Sequence, residues 1–173
     1  IYFSRSNYFN KKYVKDTLGR NLIQLYKARK GDNGEWFEKE IPFNSKDYQT
    51  GHPTLNEDET KLYFISDMPG GYGGTDVYVV DVYLDGTYST PKNLGPKINT
   101  KGREMFPVIL KNDDLYFSSD GYIDGQGGLD IFSVKLKEGM PIEDAHNLPR
   151  PINSYSDDFS ISFNKDKNSG YLS

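Results

Sequence analysis

The sequence has no cysteine, one tryptophan, three methionines and two histidines in 173 residues. The first absence removes disulfide frameworks, thiolate metal sites and cysteine nucleophiles together. The imidazoles that remain, His52 and His146, stand at unrelated places, and neither a Gly-x-Ser-x-Gly nor a His-Glu-x-x-His string occurs. No apolar run approaches the roughly 18 residues of a spanning helix, and Ile1-Tyr2-Phe3-Ser4 does not read as a signal peptide. An excess of positive charge is missing too. Lys plus Arg total 21 against 25 Asp plus Glu, a net charge of -4. That balance gives no global attraction to nucleic acid or anionic lipid. The expectation is no nucleic-acid partner, no insertion of this segment into a membrane, and no cofactor.

What is present favours strands and turns: 14 Tyr, 10 Phe, 17 Gly and 9 Pro, with no helical period of useful length. Tyr2-Phe3-Ser4, Leu62-Tyr63-Phe64-Ile65-Ser66-Asp67, Leu115-Tyr116-Phe117-Ser118-Ser119-Asp120 and Tyr171-Leu172-Ser173 repeat one string, with Tyr spacings of 61, 53 and 55 (63−2, 116−63, 171−116). A second register keeps step: Phe43-Asn44-Ser45, Ile98-Asn99-Thr100 and Ile152-Asn153-Ser154 set their Asn residues 55 and 54 apart (99−44, 153−99). Self-similarity at this period marks a repeat architecture. Within one period, short alternating runs separated by turn residues give four strands, in the second repeat His52 to Leu55, Lys61 to Ser66, Asp76 to Tyr83 and Thr87 to Leu94. The expected fold is all-β, a β-propeller segment of about three four-stranded antiparallel blades, incomplete at both ends. Its repeat units are approximately 1–50, 51–104 and 105–158, with a partial fourth at 159–173. Strand-like sequence at both termini suggests a piece of a longer polypeptide, whose open blade edges would favour self-association.

The run from Leu62 to Tyr78, Leu-Tyr-Phe-Ile-Ser-Asp-Met-Pro-Gly-Gly-Tyr-Gly-Gly-Thr-Asp-Val-Tyr, followed by Asn93-Leu94-Gly95-Pro96-Lys97-Ile98-Asn99-Thr100, resembles the WD-repeat-like propeller segment of OmpA-family outer-membrane proteins of Bacteroidetes-type bacteria. The third repeat carries the resemblance again, from Leu115 to Phe132 and from Asn147 to Ser154. It implies a periplasmic, outer-membrane-associated module whose partners are other envelope proteins or cell-wall components. The first repeat departs from the pattern: 24 positions separate Tyr2 from Tyr26, against 15 between Tyr63 and Tyr78, and Gln24 replaces the Asp.

The Gly-rich strings Gly70, Gly71, Gly73, Gly74 and Gly125, Gly127, Gly128 run into strands, not helices, so they read as tight turns needing positive φ and not as phosphate cradles. Asp76 and Asp130 follow those turns and read as braces bonding nearby backbone N–H groups. Counting from Asp120, a helix-flanked calcium loop would need ligands where Tyr122 and Ile131 stand, so no metal is expected. No catalytic constellation is expected either.

Antiparallel connectivity collects the loop between strands two and three, and the link to the next repeat, on one rim. That rim is the expected partner-binding face. It takes in Arg5, Lys11, Lys12, Lys15 and Arg20 from the insertion, together with His52, Arg103 and Glu104. The functional expectation is a non-catalytic binding or scaffolding module, not an enzyme, with a glycosidase- or sialidase-like propeller hydrolase as the rival.

Overall fold

The computed structural model describes residues 1–6, 8–9, 12–13, 15–110, 112–164 and 169–173. Lys11 of the expected rim lies outside them. Among the described residues there is no helix, and the all-β expectation holds. The strands in chain order are β1 (Tyr2–Ser6), β2 (Tyr8–Phe9), β3 (Lys12–Tyr13), β4 (Ile23–Lys30), β5 (Trp36–Glu40), β6 (Thr50–Leu55), β7 (Lys61–Ser66), β8 (Asp76–Asp81), β9 (Lys92–Asn93), β10 (Glu104–Ile109), β11 (Asp114–Ser119), β12 (Asp130–Lys137), β13 (Met140–Pro141), β14 (His146–Asn147), β15 (Ile161–Phe163) and β16 (Gly170–Leu172). They form three larger antiparallel sheets: β1-β4-β5, then β6-β7-β8-β9, then β10-β11-β12-β13 with β14 also on β12. β2-β3 and β15-β16 are separate hairpins.

The middle strands of the second sheet are apolar on both faces because that sheet packs against the first on one side and the third on the other. Along β7, Leu62 and Phe64 join Leu25 and Ile41 of the first sheet, with Tyr78 and Val80, in one core. The alternate residues Tyr63 and Ile65 join Val77 and Val79, with Leu115, Phe117, Phe132 and Val134 of the third sheet, in the other. Period-two alternation makes this sorting automatic. Each fully buried ring or branched chain stabilises by roughly 1.5–3 kcal/mol relative to exposure.

The outer strands are short, β9 and β14 being two residues each. They leave backbone groups of β8 and β12 unpaired, and such groups must find partners when buried. The repeated asparagines supply them. Asn99 Oδ1 accepts from Val77 N–H (2.8 Å) while its Nδ2 donates to Val77 O (3.1 Å). Asn153 does the same to Ile131 at 2.8 and 2.9 Å, and Asn44 to Leu25 at 3.2 and 2.8 Å. These side chains act as one more rung of the ladder, which explains the second sequence register.

Candidate functional site where the inner strands begin

The first strands of the three sheets, β1, β6 and β10, lie side by side. At matched positions on two of them, His52 and Phe106 have positive φ, 49° and 50°. Both sit at breaks in pairing, between Gly51 and Thr54 and between Met105 and Val108, and each precedes a proline, Pro53 or Pro107. Left-handed backbone at a bulky ring costs on the order of 1–3 kcal/mol and is kept where the surroundings or a function require it.

The strain lets the two rings stack face to face, centroids 4.1 Å apart and planes 11° apart. His52 N–H donates to Ser4 Oγ (2.7 Å), and Phe106 N–H donates to His52 Nδ1 (3.2 Å). Hydrogen bonds therefore tie β6 to β10 and to β1 at one level. Phe159 stands edge-on to Phe106, 6.2 Å between centroids at 90°, and is 41% exposed. Burial holds the His52 imidazole neutral, its pKa pushed down to about 4.

Two residues before Phe106, Glu104 is fully buried. Its Oε1 accepts from Thr100 Oγ1 (2.6 Å) and Ser119 Oγ (2.7 Å), and Oε2 accepts from Thr100 N–H (3.0 Å). Burial pushes its pKa up, the Asp76 charge adds to that, and the hydrogen bonds oppose both without cancelling them. The matching position 54 residues on (158−104) is Asp158, half-buried, whose Oδ2 accepts from Ser154 N–H (2.7 Å). Both residues donate their own N–H to the preceding turn, Glu104 to Thr75 O (2.8 Å) and Asp158 to Leu129 O (2.7 Å). Two carboxyls thus stand where successive inner strands begin, Glu104 two residues before Phe106 and Asp158 one before Phe159 in the chain.

The other expected rim residues are placed differently. Arg5 lies within β1, pairs with Glu38 (2.8 Å) and covers the Tyr26 ring at 4.3 Å, so it belongs to the outer face of the first sheet. Arg20 bonds Asp16 (2.6 Å) and Asp67 (3.0 Å). Arg103 bonds Asp120 (2.8 Å). Asp67 and Asp120 occupy equivalent positions and each takes one backbone N–H and one arginine, so Arg20 and Arg103 do the same structural task from different places. Lys12 and Lys15 are exposed.

The glycine strings also differ from expectation. Of those named, only Gly70 has positive φ, 91°. Gly73 is needed for close approach instead: a Cβ there would run into the backbone of Thr100 and Gly102, as one at Gly127 would meet that of Ser156. The turns rest directly on the link to the next sheet, and Gly74 N–H donates to Gly102 O at 2.6 Å. Asp76 does brace its turn, accepting from Tyr72 N–H (2.6 Å) and Gly73 N–H (3.2 Å), and Asp130 accepts from Gln126 and Gly127 N–H.

No family model matches the chain, and no curated protein matches it significantly. Among solved structures it superposes on an α-L-arabinofuranosidase from Lactobacillus brevis, TM-score 0.50 at 16% identity, and on a thermostable family-43 glycoside hydrolase, TM-score 0.54 at 16% identity. Each match covers 99% of this chain but only 59% and 60% of the other, so the chain spans about three-fifths of their length. The likeness establishes a propeller-like all-β fold. It also corrects the expectation of a non-catalytic scaffold that is not an enzyme, because the fold matched along nearly the whole chain carries glycoside hydrolysis in both proteins. The sequence placed Glu104 only on the expected partner-binding rim, whereas the fold buries its carboxyl at the start of an inner strand.

Proposed function

We propose that this chain is part of a carbohydrate-active, glycoside-hydrolase-like propeller, to which it contributes about three four-stranded blades. The observation that carries the reading is Glu104: a buried carboxyl with raised pKa at the start of an inner strand, two residues before Phe106 of a partly exposed aromatic shelf of His52, Phe106 and Phe159. Aromatic faces suit the apolar faces of sugar rings, and binding sites of this kind combine aromatic walls with a few polar groups. Glycoside cleavage needs one carboxyl that holds its proton to give to the leaving oxygen and a second that acts as base or nucleophile. Glu104 is assigned the acid role and Asp158 is the candidate partner. The resemblance of the Gly-rich repeats to envelope propellers supports a cell-wall glycan as substrate class and a periplasmic setting.

The test is release of chromophore from a panel of aryl glycosides, and of reducing ends from polysaccharides. Hydrolysis is expected, with Glu104→Gln lowering kcat by about 10²–10⁴-fold and Phe159→Ala raising KM. Absence of hydrolysis across the panel, or full activity in the folded Glu104→Gln protein, overturns the assignment.

A further inference from the structure

Where the first and second sheets meet, their packed interface opens into a cavity of about 300 Å³, walled by Ile41, Pro42, Thr87 and Tyr88 and crossed by Lys27 and Lys39. The volume is at the lower end of the range for small-molecule sites, roughly 300–1,000 Å³. Sheet register puts both lysines there. Lys27 pairs directly with Lys39 and with Tyr2, so all three project from one face, and Tyr2 Oη lies 2.9 Å from Tyr88 Oη of the second sheet. The neighbouring pair Tyr26–Glu40 projects from the opposite face, where Tyr26 Oη donates to Glu40 Oε1 at 3.4 Å. Glu40 thus borders the cavity with its carboxylate turned away.

Like charges directly opposite on a sheet are destabilising. Among the described residues neither lysine has an ion-pair partner, and Lys27 Nζ is held instead 5.3 Å over the Tyr2 ring. The next interface shows what the geometry alone asks for. The asparagine rungs make Leu25, Val77 and Ile131 equivalent, so Lys27 matches Val79, which is 7% exposed in the core and pairs with Lys92. The outer-strand cation recurs, whereas the inner-position cation is particular to this interface.

We propose that this cavity binds an acidic sugar, its carboxylate between the two ammonium groups and its ring against Ile41, Pro42 and Tyr88. The sugar assignment rests on the carbohydrate reading above, while the anion assignment stands on the two lysines alone. Burial and the Tyr2 hydroxyl push the Tyr88 phenol well above its ordinary range, so it stays neutral and does not repel the anion.

Titration calorimetry with glucuronate, glucose and acetate tests this. Glucuronate is expected to bind saturably, with glucose and acetate at least about tenfold weaker, and Lys27→Val to weaken glucuronate by about tenfold or more, the effect of losing one charge-assisted hydrogen bond. Lys27→Val should fold, since the second sheet carries valine at the same place, and Lys39→Gln gives an independent check. No saturable glucuronate binding, binding unchanged in both variants, or acetate binding as tightly as glucuronate overturns the proposal. Lys27-dependent binding together with no hydrolysis of any glycoside would leave this site standing and remove only the hydrolase reading.

Discussion

The first and second sheets solve the same packing problem with different residues at the head of the third strand. In the second sheet Asp76 looks backward and accepts two N–H groups from the Gly-rich turn before it. In the first, where the insertion replaces that turn, Gln24 looks forward and donates to Ser45 O (2.8 Å) and Tyr48 O (3.0 Å) in the following link. An acceptor has become a donor because the donors it served are gone. The asparagine rung one strand further on is present in both. The Gly-rich turn and its aspartate are therefore one unit, lost together, whereas the asparagine belongs to the architecture itself.

The comparison breaks most decisively on the asparagines. Asn99→Ala would leave Val77 N–H without its buried partner, at roughly 1–3 kcal/mol, and would remove one of two donors from Val77 O, which keeps Leu94 N–H (3.1 Å), at roughly 0.5–1.5 kcal/mol. About 2–4 kcal/mol is expected, and the same for Asn44→Ala, where Leu25 O keeps Ile41 N–H, because the rung does not depend on the turn. Urea denaturation of the two variants measures this. A cost for Asn44→Ala below about 1 kcal/mol would show that the first sheet is held by something else.

A smaller effect separates His52 from its counterpart Phe106. The folded imidazole titrates near 4, against an ordinary 6.5, because burial opposes its charge. A lowered folded pKa means the unfolded chain binds the proton more readily. The stability is present above about 6.5 and is lost as pH falls toward 4, by about 2–3 kcal/mol at 1.36 kcal/mol per unit. Glu104 acts with the opposite sign: its raised pKa gives stability that is present below its unfolded value and lost as pH rises through the folded one. Substituting His52→Phe, the residue the next sheet carries, removes only the first contribution. Its melting temperature should fall less than the wild type's between pH 7 and 4.5. Parallel profiles would mean that His52 charges in place.

Much of this was legible in the sequence, and the reasons differ by feature. The Tyr and Asn registers are visible because backbone geometry dictates them in every repeat. The ion pairs of Arg5, Arg20 and Arg103 were not, since their partners lie 33, 47 and 17 residues away and meet only in the folded sheet. Consequently a basic insertion that read as a binding surface is in part a set of internal braces. The aromatic shelf depends on two left-handed residues, and φ cannot be read from residue type when the residue is phenylalanine. A signal was nevertheless available: Pro53 and Pro107 stand 54 apart (107−53), each interrupting an otherwise regular inner strand.

The finest comparison is between the second and third turns. Asp76 has both oxygens in use: Oδ2 takes Tyr72 N–H and Asn93 Nδ2 (2.7 Å), and Oδ1 takes Gly73 N–H. The third turn is one residue longer, ten positions from Asp120 to Asp130 against nine from Asp67 to Asp76 (130−120, 76−67). That extra residue draws Asn147 Nδ2 onto Asp124 O at 2.8 Å, away from the carboxylate. Asp130, fully buried, keeps two N–H donors on Oδ2, and among the described residues Oδ1 accepts no hydrogen bond. In Asp76→Asn the new NH₂ must face one of three donors, which is expected to cost about 1.5–3 kcal/mol, the range for a hydrogen bond to a charged group. In Asp130→Asn the amide oxygen inherits both donors, the NH₂ replaces an oxygen that accepts nothing, and a buried charge disappears, so the cost should stay within about 0.5 kcal/mol. Guanidinium unfolding of the two variants at pH 7 resolves the difference. Equal losses would show that Asp130 Oδ1 is engaged in solution and that the third turn is braced as fully as the second.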